Sequence, residues 1–436
     1  MGEPIQKSRL GYAHDEGQSR FRVAWVHGSN AGGSKRFAFE MVRALSARGC
    51  TIDEYIVRGP SSNPDFLPLA PFVRTSTEVV VRSPDLSWVR PFLVGSYAQL
   101  GALLWGNRTV SQEIGSLAKR INAREYDFVH IDQYPLCRAV ALIPEIRWPT
   151  VLYSHEPSAV RYEAQRLDSS TRAPDRKRGS YKAICDIGTS LSTYVLDTHD
   201  VAWTRGASLI LTNSHYSREI FFQRYGREST VCYCGVDISI FRPESVQIEP
   251  MVLSVGRVVK AKQHDLVINA VGLIDPGLRP RVVIATPEHV NGMEDPSYGA
   301  ALVRLAESKG VNLVVMHRIS QQELVALYRQ TLALLFLPVM EPFGLVALEA
   351  MACGAPVIGI KEAGVRESVI DGVTGLLVGR EAVQVARAIL RLQRDPLMRE
   401  ELSRRAIEHV RGGWTWGHSI DCYIGEVTKL LAARED

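Results

Sequence analysis

Glu341-Pro-Phe-Gly-Leu-Val-Ala-Leu-Glu349, running on through Ala350-Met-Ala-Cys-Gly-Ala-Pro356, sets two carboxylates eight residues apart around a glycine that can open a helix. Pro342 and Gly344 favour a bend, and the run Leu345 to Cys353 is rich in Leu, Ala, Met and Glu, so the stretch reads as a helix beginning near Gly344. The first amides of such a helix lack intrahelical partners and form an anion site. With about 1.5 Å of rise per residue, Glu349 falls roughly 7 Å beyond Gly344, comparable with the span from a diphosphate to the hydroxyls of a ribose. Glu349 is then placed for the ribose, and Glu341, in the loop before the helix, for a sugar beyond the phosphates. Taken alone, the segment also fits an ordinary amphipathic helix preceded by an acid.

Outward from this stretch, strands and helices alternate. Apolar runs at Met251 to Val255, Val282 to Ala285, Val311 to Met316, Ala333 to Leu337 and Pro356 to Ile360 read as strands. Helical stretches such as His264 to Leu273, Gln322 to Tyr328 and Glu381 to Leu392 lie between or after them. The first half repeats the pattern. Phe21 to Val26 is a strand, Gly28-Ser-Asn-Ala-Gly-Gly-Ser-Lys35 a turn, Lys35 to Ala47 a helix and Cys50 to Val57 a second strand. Further strands are expected at Val79 to Val81, Phe128 to Ile131, Val151 to Tyr153 and Leu209 to Thr212. Such alternation makes an α/β protein with mainly parallel sheets, whose ligands bind at the carboxyl ends of the strands. Pro243 to Pro250 reads as a linker between the halves.

A chain of 436 residues suits two domains, and 46% hydrophobic with 22% charged residues is a globular composition. A net charge of +4 does not indicate nucleic acid. Residues 1 to 19 are polar, with no signal-peptide core, and no run reaches the roughly 20 apolar residues of a membrane span. The seven cysteines, at 50, 137, 185, 232, 234, 353 and 422, match neither a disulfide framework nor a metal spacing, so reduced thiols and a cytoplasmic location are expected.

Three other places carry chemistry. Gly256-Arg-Val-Val-Lys-Ala-Lys262 follows the first strand of the second half, and Arg257 with Lys262 can neutralise a departing diphosphate. Lys260 competes with Lys262 for that role, and a solvated basic turn is the alternative for the whole loop. The glycine turn fails as a Walker loop because Ser34 separates Gly33 from Lys35, and it lacks G-x-G-x-x-G. In Ser154-His-Glu-Pro157, His155 stands at a strand's carboxyl end, where an imidazole can hydrogen-bond sugar hydroxyls or serve a structural role.

Together these residues resemble the retaining GT-B glycosyltransferases grouped as family 4. The signature E-P-F-G-L, a second Glu and A-M-A-x-G-x-P-V stands at Glu341 to Val357, and the likeness continues through Gly364-Val-Arg-Glu-Ser-Val-Ile-Asp-Gly-Val-Thr-Gly-Leu-Leu-Val378. The resemblance implies two Rossmann-like domains facing across a cleft, with a C-terminal helix crossing back to the first. On this basis residues 1–243 form an acceptor-binding domain, 251–412 a nucleotide-sugar-binding domain, and 413–436 the crossing segment. It further implies a hexosyltransferase-type enzyme using a nucleotide-diphosphate-sugar and a hydroxyl acceptor. Glu341 would contact the donor sugar and Glu349 the ribose, with Phe343, Gly344 and Leu345 lining the donor site between them. Arg257 and Lys262 match the family's G-R and following Lys, although Gln263 replaces a frequent glycine. Gly32 and Gly33 match its G-G-x-x-[RK] loop at the donor phosphate, and His155 its donor-facing His, with Glu156 assigned to the acceptor pocket. No cofactor is implied, and the absence of D-x-D in the chain favours metal-independent catalysis. A sugar-nucleotide 2-epimerase and a catalytically silent nucleotide-sugar-binding protein are the rival readings. Arg172 to Lys182, rich in cations, and the apolar Phe92 to Trp105 form either a solvated loop and a buried helix or a peripheral contact with the inner face of a membrane.

Overall fold

Five-residue apolar runs buried on both faces, such as Met251–Val255, belong inside parallel sheets covered by helices on either side. The computed structural model of the chain describes residues 20–28, 32–58, 67–80, 112–133, 138–156, 198–288 and 295–434. Its first sheet holds β1 (Arg22–His27), β2 (Thr51–Arg58), β3 (Thr75–Val80), β4 (Phe128–Gln133), β5 (Thr150–Ser154), β6 (Leu209–Thr212) and β7 (Thr230–Val231). The order is β3-β2-β1-β4-β5-β6-β7, and every pairing is parallel. The second sheet holds β8 (Met251–Val255), β9 (Arg281–Pro287), β10 (Leu313–Ile319), β11 (Ala333–Phe336), β12 (Val357–Ile360) and β13 (Gly375–Val378) in the order β10-β9-β8-β11-β12-β13. Both are Rossmann-like, with the order reversing beside β1 and beside β8. These reversals open the crevices in which such sheets bind ligands.

Most expected strands lie where periodicity puts them. β3 begins earlier, at Thr75, because Thr75-Ser-Thr-Glu-Val-Val80 is an edge strand whose burial alternates residue by residue, so its half-polar start hides it from a search for apolar runs. β13 was not anticipated as a strand. Its four residues sit at the other sheet's edge, and Gly375 packs too close to the Val357 carbonyl for any side chain, since a Cβ there would come within 2.6 Å of it.

The halves share one continuous core. Buried residues run from Trp25 and Phe37 in the first sheet's layer through Cys234 and Trp416 to Phe343 and Met351 in the second. The helix Trp416–Ala432 crosses back to the first domain. Its Ser419 hydroxyl donates to the Tyr233 carbonyl (2.5 Å), Arg48 reaches Asp421 (2.7 Å), and Tyr423 meets His130 of β4 (2.8 Å). The chain passes Gly235 so closely on the way that a Cβ there would lie 2.2 Å from the Thr415 backbone, which requires glycine. Among the described residues no helix is long and apolar enough to cross a membrane, and no group of three or more His, Cys, Asp or Glu is placed to hold a metal ion. Phe92 to Trp105, Arg172 to Lys182, Cys137 and Cys185 lie outside the described residues.

At the first sheet's edge, the buried Asp53 of β2 accepts hydrogen bonds from Arg74 (2.5 and 3.0 Å), Thr75 (2.8 Å), Arg124 (3.0 Å) and Tyr126 (2.7 Å). Burial alone would raise this carboxyl, but the hydrogen bonds from Arg74, Tyr126 and Thr75 outweigh it and hold the group well below the usual carboxylate range. A carboxyl whose folded pKa lies below its unfolded one stabilises the fold above the unfolded value, about 4, and loses that contribution as pH falls through the folded one. Asp53→Asn is therefore expected to destabilise the protein at pH 7 by about 2 kcal/mol, the scale of hydrogen bonds to charged groups. The difference from the parent narrows below about pH 4. Urea denaturation at the two pH values measures it, and an equal difference at both would exclude this account.

Candidate active site

Glycine is required at position 344 for two reasons. Its φ is +95°, and a Cβ would meet the Phe336 ring at 2.9 Å. The chain therefore turns sharply there and starts the helix Leu345–Ala352, in which the Ala347 amide already donates to the Gly344 carbonyl (3.0 Å) and the amides of Leu345 and Val346 come before any carbonyl of the helix can reach them. The loop ahead of the helix is held from three sides. The Gly364 amide donates to the Glu341 carbonyl (3.0 Å), the Val339 amide to the Ala261 carbonyl (2.9 Å), and the Ser214 hydroxyl of the first domain to the Pro342 carbonyl (2.6 Å).

That loop brings Glu341 against Lys262. Their side chains form an ion pair at 2.7 Å, with both groups only about a quarter exposed. Lys260 points elsewhere. It pairs with Asp265 at 2.5 Å and lies 5.6 Å from the centre of the Tyr298 ring. Of the two lysines, Lys262 is therefore the one that stands beside Glu341. Gln263, standing where a glycine was expected, has φ +55° and donates its amide to the Lys260 carbonyl, so the turn keeps the glycine-like conformation without the glycine. Gly256 lets the aliphatic stem of Lys262 pack 3.4 Å from where its Cβ would be. Arg257 follows in the same loop, pinned through its carbonyl by His264 Nε2 (3.1 Å), whose Nδ1 meets the Ser254 hydroxyl (2.9 Å). Burial pushes the His264 imidazole down to about 4, so it is neutral near pH 7. With its Nε2 proton given to the Arg257 carbonyl, it works as a strut for the cationic loop.

Glu349 lies on the same helix but is buried and engaged. The Tyr328 hydroxyl donates to it (3.1 Å), and Arg36 of the opposite domain approaches to 4.0 Å. Burial raises the carboxyl's pKa, while Arg36 and Tyr328 pull it back. Arg36 also donates to Gln321 (3.1 Å), so it bridges the cleft. Arg36 was not singled out as a site residue, although it closes the G-G-x-x-[RK] pattern that begins at Gly32. Phe343 is buried and turns its ring into an aromatic cluster with Tyr233 and Trp414 (centroids 6.2 and 5.9 Å).

From the first domain, Gly33 meets the helix start directly. A Cβ on it would touch Leu345 Cδ1 at 3.5 Å, and Gly32 holds φ +77° at the beginning of the helix Gly32–Ala47. Residues 29–31 of this turn lie outside the described residues. One turn into the helix, the Phe37 ring stands edge-on to His155 (4.8 Å). His155 follows β5, is nearly buried, and bonds Asp132 of β4 through Nε2 (3.1 Å). Asn213 donates to its carbonyl (2.8 Å). Ser214, next in sequence, is the residue that holds Pro342, so a short chain of contacts links His155 to the Glu341 loop. Glu156 sits half-buried beside it, and the chain beyond lies outside the described residues.

A second joint holds the cleft walls together. Glu367 of the second domain accepts the first amides of the helix His215–Tyr225, from His215 (2.8 Å) and Tyr216 (2.9 Å), and the Tyr233 hydroxyl (2.9 Å). A carboxylate at a helix N-terminus satisfies amides that have no partner in the helix and complements the helix dipole.

Residues 237–409 match the sequence profile described as Glycosyl transferases group 1, and residues 31–240 match Glycosyltransferase Family 4. The chain is 28% identical over 410 residues to a D-inositol 3-phosphate glycosyltransferase of Frankia alni, covering 88% of this chain and 92% of that protein. It is 25% identical to the protein of that name from Mycolicibacterium smegmatis, over 92% of this chain and 87% of the other. Among solved structures, the fold is shared with a sucrose-phosphate synthase from Thermosynechococcus elongatus (TM-score 0.68, 21% identity, 95% of this chain and 100% of that one). It is also shared with Anabaena HepE in complex with UDP and glucose (TM-score 0.67, 16% identity, 94% and 100%).

Proposed function

The chain belongs to the family 4 glycosyltransferases and is an enzyme of the GT-B fold; on that premise we propose that it moves a sugar from a nucleotide-diphosphate donor to a hydroxyl acceptor with retention and without a metal ion. The observation that carries this reading is the Lys262–Glu341 pair at 2.7 Å, set just ahead of the helix start at Gly344 that Gly33 meets from the other domain. A cation, a carboxylate and open helix amides in one corner suit a phosphate bearing a sugar.

In this reading residues 251–412 hold the donor, 1–243 receive the acceptor, and 413–436 tie the two together. Arg257 and Lys262 take up charge on the leaving diphosphate, which is how the reaction proceeds without a divalent ion. Glycines at 32 and 33 let the backbone approach the phosphates. Glu341 orients the sugar, with Phe343, Gly344 and Leu345 presenting backbone to the donor. Glu349 takes the ribose hydroxyls, exchanging Arg36 for them, and His155 holds a sugar hydroxyl while Glu156 borders the acceptor. The bond from the anomeric carbon to the diphosphate oxygen breaks as the acceptor oxygen bonds to the same face. The acceptor's proton passes to the departing phosphate oxygen. Reduced thiols suit a cytoplasmic enzyme, and Phe92 to Trp105 with Arg172 to Lys182 supply the apolar and basic halves of a contact with the inner membrane face.

The relatives' names make a phosphorylated polyol the first acceptor to try, and a second HepE structure, in complex with UDP-glucose, makes that nucleotide sugar the first donor. The test is a donor screen reading nucleoside diphosphate release with and without acceptor, beside thermal-shift ranking of UDP, GDP, ADP and dTDP. Acceptor-dependent release from one donor, with the matching diphosphate raising Tm, is expected. Stabilisation by none of the four would overturn the proposal, and turnover of donor without acceptor would point to an epimerase.

A further inference from the structure

His155 does not stand alone. Its Nε2 and that of His130 both meet the same oxygen, Oδ1 of Asp132, at 3.1 and 3.0 Å. On the far side, His130 Nδ1 meets the Tyr423 hydroxyl at 2.8 Å, and the His130 ring stacks on Trp25 with centroids 3.6 Å apart and planes 15° from parallel. The second carboxylate oxygen, Oδ2, is buried and has no hydrogen-bond partner among the described residues.

Proton bookkeeping follows from the chemistry of the groups. An ionised carboxylate only accepts, so two imidazole nitrogens on one of its oxygens must both carry hydrogen. Burial alone would push the Asp132 carboxyl up, but the hydrogen bonds that His130 and His155 give its Oδ1 favour the ionised form. Burial lowers the His130 pKa against the pull of Asp132, leaving that ring neutral. A neutral His130 that donates through Nε2 accepts through Nδ1, which makes the Tyr423 hydroxyl the donor of that bond. Every hydrogen in the row then has one place: Tyr423 donates to His130, and His130 and His155 both donate to Asp132.

We infer that Asp132 is a positioning residue for the transfer reaction: it locks His155 in the Nε2–H tautomer with a fixed ring plane, so that Nδ1 is the nitrogen that accepts from a donor-sugar hydroxyl. His130, clamped between Trp25 and Tyr423, holds the carboxylate in register. The crossing helix that carries Tyr423 thereby supports a group in the cleft. The inference rests on the proposed contact between His155 and the sugar.

The test combines kinetics with imidazole nitrogen NMR on the full-length protein. In wild type, His155 is expected to show a protonated Nε2 and an unprotonated Nδ1. The near-isosteric Asp132→Asn, checked for an unchanged fold by circular dichroism, is expected to lower kcat by about 10- to 100-fold, the scale on which losing a carboxylate that orients an imidazole is felt. Its His155 signal should become mixed or reversed, because an amide can also donate. Since Asp132 acts through His155, adding Asp132→Asn to His155→Asn should change kcat by less than about twofold. An Nδ1-protonated His155 in wild type would overturn the inference even if the variant fails to fold. So would a folded Asp132→Asn with full kcat beside an impaired His155→Asn, which leaves the sugar contact standing. A fully active His155→Asn would remove that contact and the inference with it.

Discussion

Replacing Lys262 with alanine is expected to reduce kcat for sugar transfer by about 10²- to 10³-fold, the cost of removing one preorganised charge from a developing anion. The fold should hardly notice. Lys262 and Glu341 each keep about a quarter of their side chain in solvent, so the carboxylate left behind can still be hydrated and the cost to stability is small beside the loss of rate. The loss belongs to the transition state, where the leaving diphosphate gains charge, so kcat should fall more than the donor's KM rises. Lys260→Ala is the matched comparison. It removes a cation two residues away that is already turned toward Asp265 and Tyr298, and kcat should stay within about threefold of the parent because nothing in the transition state is lost. Steady-state assays of nucleoside diphosphate release on the two variants decide the matter. A crippled Lys260→Ala beside an active Lys262→Ala would reverse the assignment.

Gly364→Ala should cost the most stability for its size. A Cβ at Gly364 would lie 2.0 Å from the Pro342 carbonyl oxygen, 2.6 Å from its carbon and 2.9 Å from Phe343 Cα. All three are backbone atoms, so no side-chain rotation relieves the clash. The loop carrying Glu341 must move, breaking the bond from the Gly364 amide to the Glu341 carbonyl and pulling Pro342 from Ser214. Overpacking that displaces backbone costs about 3 kcal/mol. A lowered Tm with transfer activity near background is the expected outcome. Gly412→Ala provides the comparison, since a Cβ there meets nothing within 4 Å and alanine suits a helix better than glycine. An active, fully stable Gly364→Ala would show that the loop is not held as described.

Much of the architecture was legible because its causes are local. Runs such as Leu209–Thr212 and Met251–Val255 were located to the residue, since a strand buried on both faces reads as a nearly continuous apolar run and polar or turn residues (Ser208 and Asn213, Pro250 and Gly256) bound each of them. The start of the Leu345–Ala352 helix was readable for the same reason, because the bend at Pro342 and Gly344 lies in the residues themselves. Edge strands were harder. Thr75–Val80 is half polar, and Gly375–Val378 is short and opens on a glycine, so both take their strand character from the neighbour they pair with.

Among the candidate residues, types and spacing could be read, whereas partners could not. Nothing in Lys-Ala-Lys distinguishes Lys262 from Lys260; the turn at Gln263 and the position of Asp265 do so in three dimensions. Asp132 lies 23 positions before His155, and His130 lies 293 before Tyr423. Glu367 caps a helix that begins 152 residues earlier. By itself the sequence determined an α/β chain in two halves, a family through Glu341 to Val378, and the chemical types around one cleft, because periodicity and motif are properties of neighbouring residues. Only the tertiary structure decided that Lys262 faces Glu341, that Arg36 reaches Glu349 and that one buried carboxylate serves two imidazoles. Hydrogen bonds and ion pairs act over a few ångströms of space, and only the packed fold brings such distant residues within that range.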